Sequence, residues 1–315
     1  MALKTALLMD AVYKDHFAGR QHPEQPARYD AVAGALEAAG ITMAAQPVPS
    51  RIATAAELNY CHHQSYIDLV RHDVGAGYRS LSTGDTNINE RSLDVALRAA
   101  GGVLNVVDAV MQGKSNNGFC LVRPPGHHAT PDRGMGFCLF NNVAIGARHA
   151  QRKHGAKRVL IADWDVHHGN GTQDIFYEDG SVFFFSTHQA PWYPGTGDAT
   201  ETGHGAGRGA TMNCPFPAGS GREQILGAFR SKLLPAANSF RPDLVMISAG
   251  FDSRIDDPLG KFTLSDADFA ELTTMMMELA GKHCGGKLIS VLEGGYNLTG
   301  LASASAQHVK MLAGL

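Results

Sequence analysis

Arg158-Val-Leu-Ile-Ala-Asp163-Trp-Asp165-Val-His167-His168-Gly-Asn170-Gly171 changes character halfway along its length. Its first half is a short, almost wholly apolar run. That composition suits a strand of a parallel sheet covered on both faces. Its second half packs carboxylates and imidazoles just past the strand's end, where doubly wound sheets gather their functional groups. Three more runs end the same way. Phe119–Val122 leads into Arg123-Pro-Pro-Gly-His127-His128, Leu244–Ser248 into Ala249-Gly250-Phe251-Asp252, and Lys287–Leu292 into Glu293-Gly294-Gly295-Tyr296. Thr5–Met9 and Val182–Ser186 are further strand candidates. Helical patterns alternate with them over Ala27–Ala39, Ser92–Met111, Asn142–Lys153, Arg222–Ala237, Asp266–Lys282 and Leu301–Leu312, with Ser265 as a helix cap. The alternation predicts an α/β fold: a single domain over 1–315, built on a doubly wound, mainly parallel sheet flanked by helices. The glycine-rich Gly195–Gly209 follows a strand and suits the wall of an active site.

Composition narrows the function classes. Apolar residues make up 44% of the 315 residues and charged residues 18%, enough for a sizeable core. The net charge of −3, without a basic block, gives no argument for nucleic acid or an anionic membrane. No apolar run approaches membrane-spanning length. Cys61, Cys120, Cys138, Cys214 and Cys284 are odd in number and form no CxxC pair. A reducing compartment is therefore expected, and the chain reads as cytoplasmic. A homo-oligomer stays open.

In an extended segment, residues two apart point to the same side. Asp165 and His167 can thus bind one metal together, with Asp252 arriving from another strand end and Asp163 lying further back. Two carboxylates and one imidazole suit Zn²⁺ with an open position. A lone Asp-x-His is more often a hydrogen-bonded loop pair, but the other strand ends shift that balance. His127 and His128 are candidate acid/base groups, oriented by Asp163 and Asn170. By themselves they would read as a solvated loop pair. Tyr296 offers a phenol on a glycine-flanked backbone that permits close approach to a ligand, or else an ordinary semi-buried tyrosine.

RPPGHHAT (123–130), GFCLFNN (136–142), DWDVHHGNGTQ (163–173), PGTG (194–197), GFDSRIDDPLG (250–260) and LEGGYN (292–297) together resemble the histone deacetylase family, in its motif order and over nearly the whole chain. Asp-Trp-Asp-Val and Leu-Glu before Gly-Gly-Tyr are closer to the class II branch and its bacterial relatives. The resemblance implies the arginase-deacetylase fold and a zinc-dependent deacylase acting on acyl-lysine or a related small acylated amine. It matches Asp165, His167 and Asp252 to the zinc ligands. It makes His128 the general base and acid, His127 its electrostatic partner, and Tyr296 the phenol that polarises the scissile carbonyl. Phe137 and Tyr193 match the aromatic tunnel walls, with Gly136, Gly294 and Leu259 beside them. Arg28 looks like the arginine near the internal acetate pocket. A structural K⁺ is implied at Asp163, Asp165, His167, Ser186 and Thr187. A polyamine-selective branch carries a glutamate at the position that follows Asp257-Pro258, which is Leu259 here.

Two rivals remain. An arginase-like ureohydrolase shares the fold but uses two Mn²⁺, held by D-x-H-x-D and S-F-D-x-D. Here Gly169 and Arg254 stand where two of those carboxylates would be. A non-catalytic binder that has lost turnover is the other, and the retained His127, His128 and Tyr296 argue against it.

Overall fold

The computed structural model describes residues 5–315. One sheet of eight strands organises them: β1 (Thr5–Met9), β2 (Gln46–Val48), β3 (Asn117–Leu121), β4 (Val159–Asp163), β5 (Val182–Gln189), β6 (Thr211–Phe216), β7 (Leu244–Ala249) and β8 (Leu288–Leu292). Their order is β2-β1-β3-β8-β7-β4-β5-β6. Every pairing is parallel. The four apolar runs that end in polar clusters are thus β3, β8, β7 and β4, side by side in the middle of the sheet. Their carboxyl ends share one edge, so side chains far apart in sequence converge there.

All six expected strands form, within a few residues at each end. The two that the sequence did not suggest, β2 and β6, are the edge strands, and each carries a proline, Pro47 and Pro215. Proline removes a ladder donor and is tolerated at edges, and it blurs the apolar signature of a buried strand.

Helices cover both faces. Ala27–Ala38, Ser92–Met111, Asn142–His154, Asp266–Cys284 and Leu298–Ala313 lie close to their expected positions. Ser265 does sit at the start of its helix, where the Asp268 carboxylate accepts its backbone N–H at 2.8 Å and its hydroxyl at 2.7 Å. The stretch expected as one helix over Arg222–Ala237 departs from that reading. It runs Arg222–Ala228, opens into a π turn over Phe229–Leu233, and resumes over Leu234–Phe240. Pro235 is the physical reason: it has no N–H for the carbonyl one turn back, and its ring crowds that carbonyl. Gln64–Gly75 and the short Asn170–Phe176 are further helices not anticipated.

Trp164 shows the strand alternation at work. Between Asp163 and Asp165, its ring is fully buried on the opposite side, 6.4 Å from Phe269 and 5.4 Å from His308. The core therefore anchors the segment whose other side faces the site.

Candidate active site

The ends of β4 and β7 bring Asp165, His167 and Asp252 together, with their donor atoms all within 4.8 Å of one another. His167 Nδ1 lies 3.0 Å from Asp165 Oδ1 and 3.1 Å from Asp252 Oδ2. All three residues are buried. Backbone amides fix the carboxylates. Gly294 N–H donates to Asp165 at 2.8 Å and Val166 N–H to Asp252 at 2.9 Å. A Cβ at Gly250 or Gly294 would strike these carboxylates, so glycine backbone walls them in. Burial, and then the charge of Asp165, push the Asp252 carboxyl above the usual range. Two such groups are placed side by side in the interior at a cost that a cation offsets. The donor set fits one small divalent metal, and zinc by its chemistry.

Behind the trio the two histidines take different partners. His127 Nδ1 is 2.9 Å from Asp163 Oδ2, and His128 Nδ1 is 2.8 Å from Asn170 Oδ1. Their ring centroids are 4.0 Å apart. Burial works against a charge on His127, but Asp163 and Asp165 outweigh it and lift the imidazole to about 10. Burial pushes His128 well below its ordinary value, and the neighbouring His127 adds to the push. His128 is therefore neutral at pH 7. With Asn170 accepting from its Nδ1, its Nε2 carries the free lone pair.

A cavity of about 280 Å³ leads down to this centre, lined by His128, Gly136, Phe137, His167, Tyr193, Leu259, Tyr296, Asp85 and Trp192. Phe137 has φ of +69°, in the left-handed region that a bulky side chain rarely adopts. Such a conformation costs on the order of 1–3 kcal/mol, and it places the ring across from Tyr296, centroids 6.0 Å apart. Tyr193 meets His128 edge-on at 5.2 Å. Of the expected tunnel residues, Gly294 alone is off the wall; it backs the carboxylates of Asp165 and Asp252. The glycine-rich Gly195–Gly209 does not line the cavity either. Trp192 and Tyr193 just before it do, while Gly197 packs against His168 and His188.

Tyr296 is buried deep in the site. Burial lifts its phenol far above the ordinary value, so it stays protonated and can donate. The Asp257 carboxylate accepts the backbone N–H of Tyr296 at 2.7 Å and of Leu259 at 2.9 Å. The Arg28 guanidinium lies 4.9 Å from the Tyr296 ring centre and donates to Gly295 O at 2.6 Å and Glu293 O at 2.5 Å. Arg28 is thus behind the tyrosine loop, with its donors on backbone carbonyls and Glu24.

Several further residues belong to the site's surroundings, among them Glu24, Glu293 and Asp257, to which the sequence alone assigns no role. Glu24 is buried between Arg28 and Arg123, accepting from both. Glu293 accepts the N–H of Gly126 at 2.7 Å and of His127 at 3.1 Å, tying β8 to the histidine loop. Asp85 takes Gly136 N–H on one oxygen and the Tyr193 hydroxyl on the other, each at 2.8 Å. Glu293 and Asp257 stood inside quoted motifs, and their spacing to Tyr296 was the available signal. Asp85 and Glu90 of the early loop were the acids that could reach the tunnel rim from another direction; of the two, Asp85 lines the cavity. Asp163, Asp165, His167, Ser186 and Thr187 are all buried at neighbouring strand ends, where Asp163 pairs in register with Ser186.

Comparison with known proteins bears on the chain as a whole. The family model for the histone deacetylase domain matches residues 22–312. Histone deacetylase 14, chloroplastic, of Arabidopsis thaliana is 40% identical, over 93% of this chain and 73% of its own. A probable deacetylase of Archaeoglobus fulgidus is 38% identical, over 94% and 82%. Polyamine deacetylase HDAC10 of Homo sapiens is 41% identical, over 92% of this chain and 44% of its own. The crystal structure of the HDA15 HD domain superposes with a TM-score of 0.93 at 41% identity, covering 99% of this chain and 91% of that one.

Proposed function

The chain belongs to the histone deacetylase family, and on that premise we propose that it is a zinc-dependent hydrolase removing acyl groups from lysine side chains. The observation that carries the proposal is the convergence of Asp165, His167 and Asp252 with His127, His128 and Tyr296 at the foot of one narrow cavity. Hydrolysis of an acetyl-lysine peptide, sensitive to chelator, tests it.

Zinc held by Asp165, His167 and Asp252 would supply Lewis acidity toward the scissile carbonyl and toward water. Neutral His128 takes a proton from the attacking water on Nε2 and passes it to the departing amine. Positive His127 and the Tyr296 hydroxyl face the developing oxyanion. Phe137 and Tyr193 flank the apolar lysine stem and keep solvent out. Glu293 and Asp257 hold the backbone on which His127 and Tyr296 are mounted. Burial of Asp163, Asp165, His167, Ser186 and Thr187 together supports a structural K⁺ beside the zinc. The two-metal ureohydrolase reading is disfavoured, since Gly169 offers no ligand and the Arg254 guanidinium is paired with Asp266 at 2.6 Å. Among the described residues no helix is long and apolar enough to cross a membrane. All five cysteines are free and buried, which favours the cytoplasm over an oxidising compartment.

Tyr296→Phe removes one hydroxyl and leaves the ring against Arg28. The variant is expected to fold normally, bind zinc and lose roughly 10²–10³-fold in kcat, the usual effect of deleting one oxyanion donor. Wild-type kcat would make Tyr296 a structural residue.

Acyl-lysine is expected to be preferred over acetylpolyamines. Leu259 lines the cavity, and its apolar side chain attracts no distant ammonium. Asp85 is a carboxylate at the same cavity, held in place by Gly136 and Tyr193, and it is the group through which a polyamine would gain if Leu259 did not decide the preference. The deciding quantity is kcat/KM for an acetyl-lysine peptide against N-acetylputrescine and acetylspermidine. A clear polyamine advantage would overturn the substrate assignment and leave the amidohydrolase chemistry intact.

A further inference from the structure

A second convergence of metal-binding side chains lies away from the cavity. Helices Ser92–Met111 and Asn142–His154 lead into β3 and β4, so their carboxyl ends sit at the amino-terminal edge of the sheet, opposite the active site. There Asp108 of the first helix meets His149 and His154 of the second. We propose that Asp108, His149 and His154 form a second divalent-metal site of zinc type that staples the two helices.

The geometry gathers three donor atoms into one cluster. His149 Nε2 is 2.8 Å and His154 Nε2 2.6 Å from the same oxygen, Asp108 Oδ1, and the three donor atoms all lie within 4.8 Å of one another. Neither bond uses the other carboxylate oxygen. His149 is buried, and its Nδ1 has no partner among the described residues, so hydrogen bonding alone leaves this imidazole incompletely satisfied. The ring stacks against Tyr60, with centroids 6.5 Å apart and planes 29° apart, which fixes the direction of Nε2. Two imidazoles and one carboxylate are a zinc donor set. Asp108 is part-exposed and borders an open hollow of about 560 Å³, leaving room for water as a further ligand. Arg51, the cation beside Asn105, is engaged by Glu57 at 2.7 Å and by Asn105 at 3.0 Å, so its charge is already paired. Of the three residues only Asp108 borders that hollow; neither histidine lines it. The site's role is to fix the helix that connects the histidine loop to β4, by binding the native state and not the unfolded chain.

The test counts zinc per chain after equilibrium dialysis, for the full-length wild type, His154→Ala, Asp108→Asn and Asp252→Ala, together with thermal midpoints with and without zinc. The wild type should hold two ions and each variant one. His154→Ala and Asp108→Asn should retain deacylase activity within about twofold, because they lie outside the catalytic centre. In Asp252→Ala, added zinc should still raise the midpoint, and adding His154→Ala should abolish that rise. One ion in the wild type, lost in Asp252→Ala but kept in His154→Ala and Asp108→Asn, would overturn the second site and leave the catalytic reading standing. One ion lost only in His154→Ala and Asp108→Asn would support the second site and contradict the catalytic one.

Discussion

Asp252→Ala is expected to fold, to bind one zinc fewer than the wild type and to lose turnover by more than about a thousandfold. In the proposed zinc site Asp252 would supply one of three protein ligands, from the end of β7, while Asp165 and His167 come from the end of β4. Removing it leaves two neighbouring ligands on one segment, too few to hold zinc in a fixed geometry. The metal contributes several kcal/mol of charge stabilisation in reactions of this kind, and each 1.36 kcal/mol is about tenfold in rate. The fold should survive because the alanine removes a buried carboxyl that burial and Asp165 already push up. Metal analysis, circular dichroism and kcat on one preparation check this. A variant that has lost one zinc per chain yet keeps undiminished turnover would end the assignment of this residue.

His128→Ala should lower kcat by roughly 10²–10⁴-fold, the contribution typical of a positioned general base. It should hurt more than His127→Ala. The argument rests on the two partners. A carboxylate, Asp163, holds a proton on His127, whereas an amide oxygen, Asn170, leaves His128 neutral with Nε2 available. Both variants should retain zinc, since neither histidine belongs to the ligand trio. Steady-state kinetics of the two variants decides it; a consistently slower His127→Ala would exchange the roles.

The central strands were legible in the sequence because burial on both faces leaves an uninterrupted apolar run, as in Val159–Ala162, and the chemistry follows each run directly. The edge strands were not, because Pro47 and Pro215 interrupt short segments that face solvent on one side. The interruption near Pro235 was visible as a residue but not as a π turn, since the register adjustment depends on the packing around it. The convergence of Asp165, His167 and Asp252 beside His127 and His128 was legible because each comes from a short motif at a strand end. Asp85 was legible only as one of two acids that could reach the rim, and the role of Glu24 was not legible. Asp85 works through Gly136 and Tyr193, 51 or more residues away. Glu24 has one partner at helical spacing, Arg28, but the Arg123 contact that completes its pocket is 99 residues away. The left-handed backbone of Phe137 is similarly imposed by the surrounding fold. The Asp108, His149 and His154 cluster escaped notice because its members lie on two helices and only the histidines are near neighbours in sequence.

The most direct test of zinc-dependent deacylation is the hydrolysis of an acetyl-lysine peptide by the intact chain, before chelation, after it, and after zinc is returned. The expected result is turnover that disappears with the metal and returns with added zinc in the wild type but not in Asp252→Ala. Undiminished turnover in protein shown to be free of metal would contradict the account.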